Sequence, residues 1–175
     1  MAFEHHNYDM VTVLDAEAVG VPGQRRFRLI GGVEADIISL WMEKEQLNAL
    51  GQAIDQLLEQ LVESRLIQRA VEPLPGSAPD PVPPTTPEYV ASKIMIGYDE
   101  ERRVVAIFAH HIEQEDDDDP IFTARASLES AKALAEKIAE VVAAGRPRCP
   151  RCGAPIGPEG HVCPHNNGHL PWTGA

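Results

Sequence analysis

The sequence predicts an α+β fold in which two β-β-β-α halves pack as one core of antiparallel sheet and helix, followed by a C-terminal zinc-ribbon-like module. Strand-like runs precede an amphipathic helix, the same order recurs after a proline-rich stretch, and all three cysteines lie near the C-terminus. The 175-residue length suits one medium domain with a small appendage. The predicted divisions are 1–71 and 89–145 for the two halves, 72–88 for a linker and 146–175 for the zinc module with its tail.

Three strands and a helix are predicted for the first half. Polar and apolar residues alternate over Arg26–Ile30, which is typical of a half-buried strand. The predicted strands cover 9–19, 26–30 and 34–42. Leucine and isoleucine then recur at helical spacing from Leu47 to Leu61, which predicts a helix over residues 43–66.

The second half repeats this order. The predicted strands cover 89–98, 103–112 and 121–126. Ser127 is a suitable N-cap for a second helix, which we expect to end near Gly145. The intervening segment 72–88 is rich in proline, which has no backbone N–H to donate, so the segment is predicted to be an extended or disordered linker.

The cysteine pattern indicates a zinc site. Cys149 and Cys152 form a C-x2-C pair, and the glycine that follows permits the tight turn needed for both thiolates to reach one ion. Cys163 supplies a third thiolate after a short hairpin. His161, two residues before Cys163, is the favoured fourth ligand on spacing, with His165 and His169 as alternatives.

A Cys3His set would fill a tetrahedral zinc site with protein groups. Catalytic zinc keeps an open position for water, so the pattern favours structural zinc. An odd number of cysteines, two of them in C-x2-C, fits metal binding in a reducing compartment better than a disulfide framework. The predicted location is therefore cytoplasmic. No apolar run approaches the roughly 20 residues that a membrane span needs, so no membrane association is predicted.

Several segments resemble the bacterial DUF3090 family of uncharacterised proteins. The resemblance rests on Ala18-Val-Gly-Val-Pro-Gly-Gln-Arg-Arg-Phe27, on the acidic 115–119 run, and on the C-terminal Cys-Pro-Arg-Cys-Gly and Gly-His-Val-Cys-Pro motifs. It extends over nearly the whole chain, and its C-terminal motif is the most specific part. In the family pattern the histidine of the second motif matches His161, which the resemblance favours as a ligand. The resemblance implies no established activity.

Three functions remain open at this level. The first is a non-enzymatic binding or adaptor protein for an unidentified protein partner. The second is a metal-dependent enzyme that uses His110 or His111, which face opposite sides of a strand, with the acidic loop 113–119. A run of like charges is usually solvated, and no familiar catalytic motif is present in the sequence, so binding is favoured over catalysis.

The third function is nucleic-acid binding through the zinc module. Arg146, Arg148, Arg151 and His165 could contact phosphates. The chain carries a net charge of -12, however, which repels a phosphate backbone and disfavours this function.

Overall fold

A computed structural model confirms the α+β class, with a seven-stranded sheet and two helices in the residues that it describes. These residues are 3–21, 23–115, 117–144, 149–154, 156 and 160–166. The strands are β1 (His6–Tyr8), β2 (Val13–Val19), β3 (Arg26–Val33), β4 (Asp36–Met42), β5 (Glu88–Asp99), β6 (Val104–His111) and β7 (Phe122–Ala126). The helices are α1 (Lys44–Glu63) and α2 (Leu128–Ala143), and a 3-10 turn covers Pro164–Asn166.

The sheet is antiparallel within each half and parallel at the junction between halves. Its strand order is β1-β7-β6-β5-β4-β3-β2. The β2-β3-β4 and β5-β6-β7 groups are antiparallel meanders, whereas β4 and β5 pair in parallel. The prediction of a wholly antiparallel sheet is wrong at this junction. Helix α1 and the proline segment bring the chain back beside the end of β4, where β5 starts and runs in the same direction as β4.

Strand β1 is an addition to the six predicted strands. It spans only three residues, too few for an alternating pattern to identify it. It pairs in parallel with β7 over three residue pairs, just as the start of β5 pairs with the end of β4. Both halves therefore begin with a short parallel pairing to the third strand of the other half.

The sheet is strongly curved. Its edge strands β1 and β2 are joined by residues 9–12 alone. The five Cα steps from Tyr8 to Val13 reach at most about 19 Å, whereas a flat seven-stranded sheet would separate its edges by about 29 Å. Curvature brings β7 over β3, where a Cβ atom on Gly31 would lie 2.8 Å from Cζ of Phe122. It also lets the Tyr8 hydroxyl donate to the Asp36 carboxylate across 3.2 Å.

Both helices and one face of the sheet share a single hydrophobic core. Leu47 and Ile54 of α1 are fully buried, and Ile138 of α2 is only 1% exposed. The helices touch each other at Gly51, where a Cβ atom would lie 2.8 Å from Cγ2 of Ile138. No helix in the described parts of the chain is long and apolar enough to cross a membrane.

The proline segment 72–88 contains no helix, and no strand before Glu88, and it packs against the first half. The Leu14 amide donates to the Gly76 carbonyl, and the Ala78 amide donates to the Asp15 carboxylate, each across 2.8 Å. Ala78 and Val82 cover a small cluster on the outer face of the sheet, formed by Val13, Ile30 and Ile37. The segment is thus a cover for that face. The division of the chain into 1–71, 72–88, 89–145 and 146–175 stays a prediction.

Candidate metal centre

Three cysteines and one histidine converge near the C-terminus. The ligand atoms of Cys149, Cys152, His161 and Cys163 all lie within 4.8 Å of one another. Sγ of Cys149 is 3.8 Å from Sγ of Cys163, and Sγ of Cys152 is 3.2 Å from Nε2 of His161. Zn–S bonds of about 2.3 Å in a tetrahedron place two sulfurs about 3.8 Å apart. The spacing of the two buried sulfurs therefore fits a common tetrahedral ion.

A tight turn shapes the first ligand pair. The Gly153 amide donates to the Cys149 carbonyl, and the Cys149 amide donates to the Ala154 carbonyl, each across 2.8 Å. Gly153 has φ of 72°, a left-handed conformation that favours glycine. The sequence Cys-Pro-Arg-Cys-Gly therefore places both thiols on the inside of one turn.

Backbone N–H groups stabilise one thiolate of the site. The amides of Cys152 and Arg151 donate to the Cys149 sulfur and, with contributions from the His161 and Cys152 side chains, they lower the pKa of Cys149 to about 6. A pKa near 6 leaves the thiolate as the main form at neutral pH, which is the form that binds metals.

Burial acts in the opposite direction on the second buried cysteine. Desolvation raises the pKa of the Cys163 thiol, although the His165 amide donates a hydrogen bond to its sulfur and opposes the rise. Two further thiols beside it, those of Cys152 and Cys149, add to the rise. A cation at the centre of the group would reverse this balance, because it stabilises every thiolate around it.

The group has a closed side and an open side. Cys149 and Cys163 are 3% and 2% exposed and pack with Ile156, while Cys152 and His161 are half-buried. The buried pair shares a small apolar cluster of its own, distinct from the main core. The described side chains therefore surround the centre of the group with three sulfurs and one imidazole.

The structure separates the three histidines that the sequence leaves open. His161 joins the cysteines. His165 is exposed on the 3-10 turn and is not among the four clustered residues. His169 lies outside the described residues, as do Arg146 and Arg148. Ligand roles for Cys149, Cys152, His161 and Cys163 stay a prediction that this geometry supports.

The histidines of β6 do not join the acidic loop in a comparable cluster within the described residues, which exclude Asp116. Nδ1 of His111 accepts a hydrogen bond from the Glu113 amide across 3.2 Å. The loop also bonds to itself, because the Glu115 amide donates to the Asp118 carboxylate across 2.9 Å. His110 is 8% exposed. These contacts describe a self-contained polar turn.

An aromatic and histidine cluster that the sequence does not reveal lies beside His111. Nε2 of His6 is 2.9 Å from the Tyr89 hydroxyl, and the Tyr89 ring contacts the His111 ring edge-on with centroids 5.9 Å apart. The Phe3 ring also contacts the His111 ring, with centroids 4.9 Å apart. These residues come from the N-terminal segment, β5 and β6, so no local pattern connects them. Strand β1, the short element that brings His6 into place, would have been the necessary signal.

The comparisons with known proteins give one match. The chain matches the family described as "Protein of unknown function (DUF3090)" over residues 6–163. No curated protein matches the chain, and no solved structure matches it. The matched range contains every strand, both helices and all four residues of the cysteine and histidine group. The resemblance found in the sequence is confirmed, and the chain belongs to the DUF3090 family.

Proposed function

We propose that the chain is a non-enzymatic binding protein whose C-terminal module is held together by one structural zinc ion. The observation that carries the proposal is the convergence of four ligand atoms, from Cys149, Cys152, His161 and Cys163, within 4.8 Å. Together these groups would hold the ion. Bound zinc would supply a cross-link between segments that have few apolar residues of their own.

The donor set favours zinc over other common ions. Thiolate ligands select soft or borderline metals, whereas Mg²⁺ and Ca²⁺ require oxygen. Three sulfurs and one imidazole form a tetrahedral set that is widely used for structural zinc. The backbone donors to Cys149 and Cys163 add the outer hydrogen bonds that orient thiolate ligands and reduce their charge.

A full set of protein ligands supports a structural role. With four side chains on a tetrahedral ion, no coordination position is left for water or substrate. The module also offers contact surface around the group: Val162 is 62% exposed, and Arg151 and His165 are exposed. We therefore propose that the module presents a surface to a protein partner in the cytoplasm.

The first experiment measures the number of zinc ions per chain by elemental mass spectrometry of the purified protein. Protein purified without added metal should hold one zinc, which overnight exposure to a strong chelator should not remove without unfolding of the module. Cys152→Ser and His161→Asn should lower zinc retention, because each removes a ligand. His165→Asn is the matched control, an exposed histidine two residues beyond Cys163, and it should retain the metal.

Two results would contradict the site. Loss of zinc in His165→Asn with full retention in His161→Asn would exclude His161 as the ligand. Zinc that exchanges readily with free metal while the fold persists would indicate an open coordination position, and it would favour the metal-dependent enzyme over the binding protein.

Partner binding is tested with a second matched pair. Val162 and Val21 are both 62% exposed, one in the zinc module and one after β2. Val162→Asp should abolish cross-linking of the tagged chain to its partner in its own cells, whereas Val21→Asp should not. An equal cross-linking pattern for both variants at unchanged zinc content would refute the module as the contact surface.

A further inference from the structure

A groove opens where β4 and β5 separate. Their parallel pairing is short: it joins Ser39–Trp41 of β4 to Glu88–Val90 of β5. Beyond it β4 ends and leads into α1, while β5 shifts register between Ala91 and Lys93 to follow β6. The gap has a volume of about 740 Å³. It is bounded by the segment before β3, the end of β4, the first turn of α1 and the irregular part of β5.

Three basic side chains line this groove. Within the described part of the chain, Arg25, Arg26 and Lys44 form no ion pair, and Nε of Arg25 is buried without a hydrogen-bond acceptor. Elsewhere in the described residues, Arg102 pairs with Asp9 and Lys132 pairs with Asp55. The feature that sets Arg25 apart is its buried Nε, a donor held in the groove wall without an acceptor.

Acidic residues also reach the groove but do not balance it. Glu43 and Glu45 are the carboxylates among the lining residues, against the three cations, which leaves an excess of one positive charge. Glu43 is the N-cap of α1 and Glu45 lies in its first turn, positions that helix geometry favours for carboxylates because the backbone N–H groups there lack helical partners. The lining of the groove therefore carries a formal charge of +1, whereas the whole chain carries -12.

The polar backbone groups at the strand separation are already satisfied. Nε2 of Gln46 donates to the carbonyls of Ala91 and Ser92, across 3.5 and 3.1 Å. Oε1 of Gln46 accepts from the Glu43 amide across 2.9 Å. Gln46 thus fills the hydrogen-bonding needs of both walls. Nε of Arg25 is the buried side-chain donor of the groove that the structure describes without a hydrogen-bond partner.

An apolar surface continues the groove beside the cations. Trp41 and Val90 are cross-strand neighbours, and Val90 and Ile112 are 39% and 62% exposed. The Arg26 guanidinium lies over the Trp41 ring, 4.3 Å from its centroid. Stacking holds this cation at the border between the charged and the apolar part. The two parts together match a ligand that has a charged head and an apolar body.

We propose that this groove binds a small organic anion with a phosphate or carboxylate head and an apolar or aromatic body. The head contacts the Arg25 and Lys44 side chains, and the body lies along Trp41 and Val90. The volume falls within the range of about 300–1,000 Å³ that is usual for small-molecule sites. A guanidinium without an acidic partner is the group best suited to bind either kind of head through paired hydrogen bonds.

The test uses 8-anilinonaphthalene-1-sulfonate, an aromatic anion, as the fluorescent probe of the full-length chain. Trp172→Phe leaves Trp41 as the single tryptophan, so energy transfer from Trp41 reports bound probe, and loss of binding in the groove variants assigns that probe to the groove. Arg25→Gln and Lys44→Gln should each weaken probe binding about tenfold, since each removes one charge-assisted hydrogen bond. Arg69→Gln, an exposed arginine outside the groove, is the matched control and should leave the affinity unchanged.

Competition identifies the head group. Octyl phosphate or octanoate should displace the probe, whereas octanol, which has the same chain without a charge, should not. Displacement by octyl phosphate alone names a phosphate ligand, and displacement by octanoate alone names a carboxylate. Equal probe affinity in Arg25→Gln, Lys44→Gln and the wild type, displacement by octanol as effective as by the anions, or no displacement by either anion would overturn the proposal. Circular dichroism of each variant excludes loss of the fold as the cause.

Discussion

Gly31→Ala tests whether the sheet curves so that β7 lies over β3. The added Cβ would stand 2.8 Å from Cζ and 3.2 Å from Cε2 of Phe122. Carbon atoms prefer about 3.5–4.0 Å, so the ring would have to retreat by about 1 Å. Phe122 is fully buried and has no free space in which to move.

The expected loss follows from two opposing effects. Overpacking a well-packed core costs about 1–3 kcal/mol. Replacing glycine by alanine within a strand recovers about 0.5–1 kcal/mol through the unfolded chain. Gly31→Ala should therefore lower the free energy of unfolding by about 1–2 kcal/mol. Gly97→Ala on β5 is the matched control, because a Cβ there meets only Cε2 of Phe108 at 4.0 Å, and it should be neutral or slightly stabilising.

A double-mutant cycle with Phe122→Leu measures the contact itself. The shorter side chain removes the ring atoms that Gly31→Ala would touch, so the overpacking cost should vanish and the alanine should stabilise that background by about 0.5–1 kcal/mol. Equilibrium unfolding in urea of the four proteins should give a coupling energy equal to the overpacking cost, about 1–3 kcal/mol, within the range seen for residues in contact.

Additivity would refute this reasoning. In a flat sheet of the same strand order, Gly31 and Phe122 would lie four strand spacings apart, about 19 Å. Residues at that distance combine additively within about 0.5 kcal/mol. A coupling energy near zero would therefore contradict the curved sheet and with it the shared core of the two halves.

Two further predictions concern the contacts that join the halves and hold the proline segment. Gly51→Ala should destabilise the protein by about 1–2 kcal/mol, although alanine is normally preferred over glycine in a helix. The reason is that the new Cβ would lie 2.8 Å from Cγ2 of Ile138. A rise in the urea midpoint would show that α1 and α2 are not in close contact. In the wild type the Ala78 amide donates to the Asp15 carboxylate across 2.8 Å. Asp15→Ala removes this acceptor and should lower the free energy of unfolding by about 1–3 kcal/mol. Hydrogen exchange at that amide should accelerate, and an unchanged rate would exclude Asp15 as its anchor.

Local pattern predicted most of the secondary structure. Helix α1 extends over Lys44–Glu63 within the predicted 43–66, because its leucine and isoleucine spacing repeats over about four turns. Its end was predicted too late. Arg65 has φ of 60°, a left-handed turn that ends the helix without the glycine that usually marks such a position.

Non-local contacts explain what the pattern could not predict. The proline segment has no periodicity, yet it is held against the first half by hydrogen bonds to Leu14 and Asp15. The Asp15–Ala78 bond joins residues more than sixty positions apart. Arg25, Arg26 and Lys44 are ordinary surface residues in the sequence. They surround one groove only because β4 and β5 pair and then diverge.

The sequence by itself determined the α+β class, the positions of both helices and the set of residues that make a metal site chemically reasonable. These features depend on residue spacing within a few turns or a short hairpin, which the backbone geometry of helix, strand and tight turn translates directly into position. Only the tertiary structure decided the curvature of the sheet, the parallel junctions, the choice of His161 as the histidine beside the cysteines, and the groove. Each of these depends on pairing between residues far apart in the chain or on the path of a loop, and such pairing is determined by the balance of packing over the whole core rather than by any local preference.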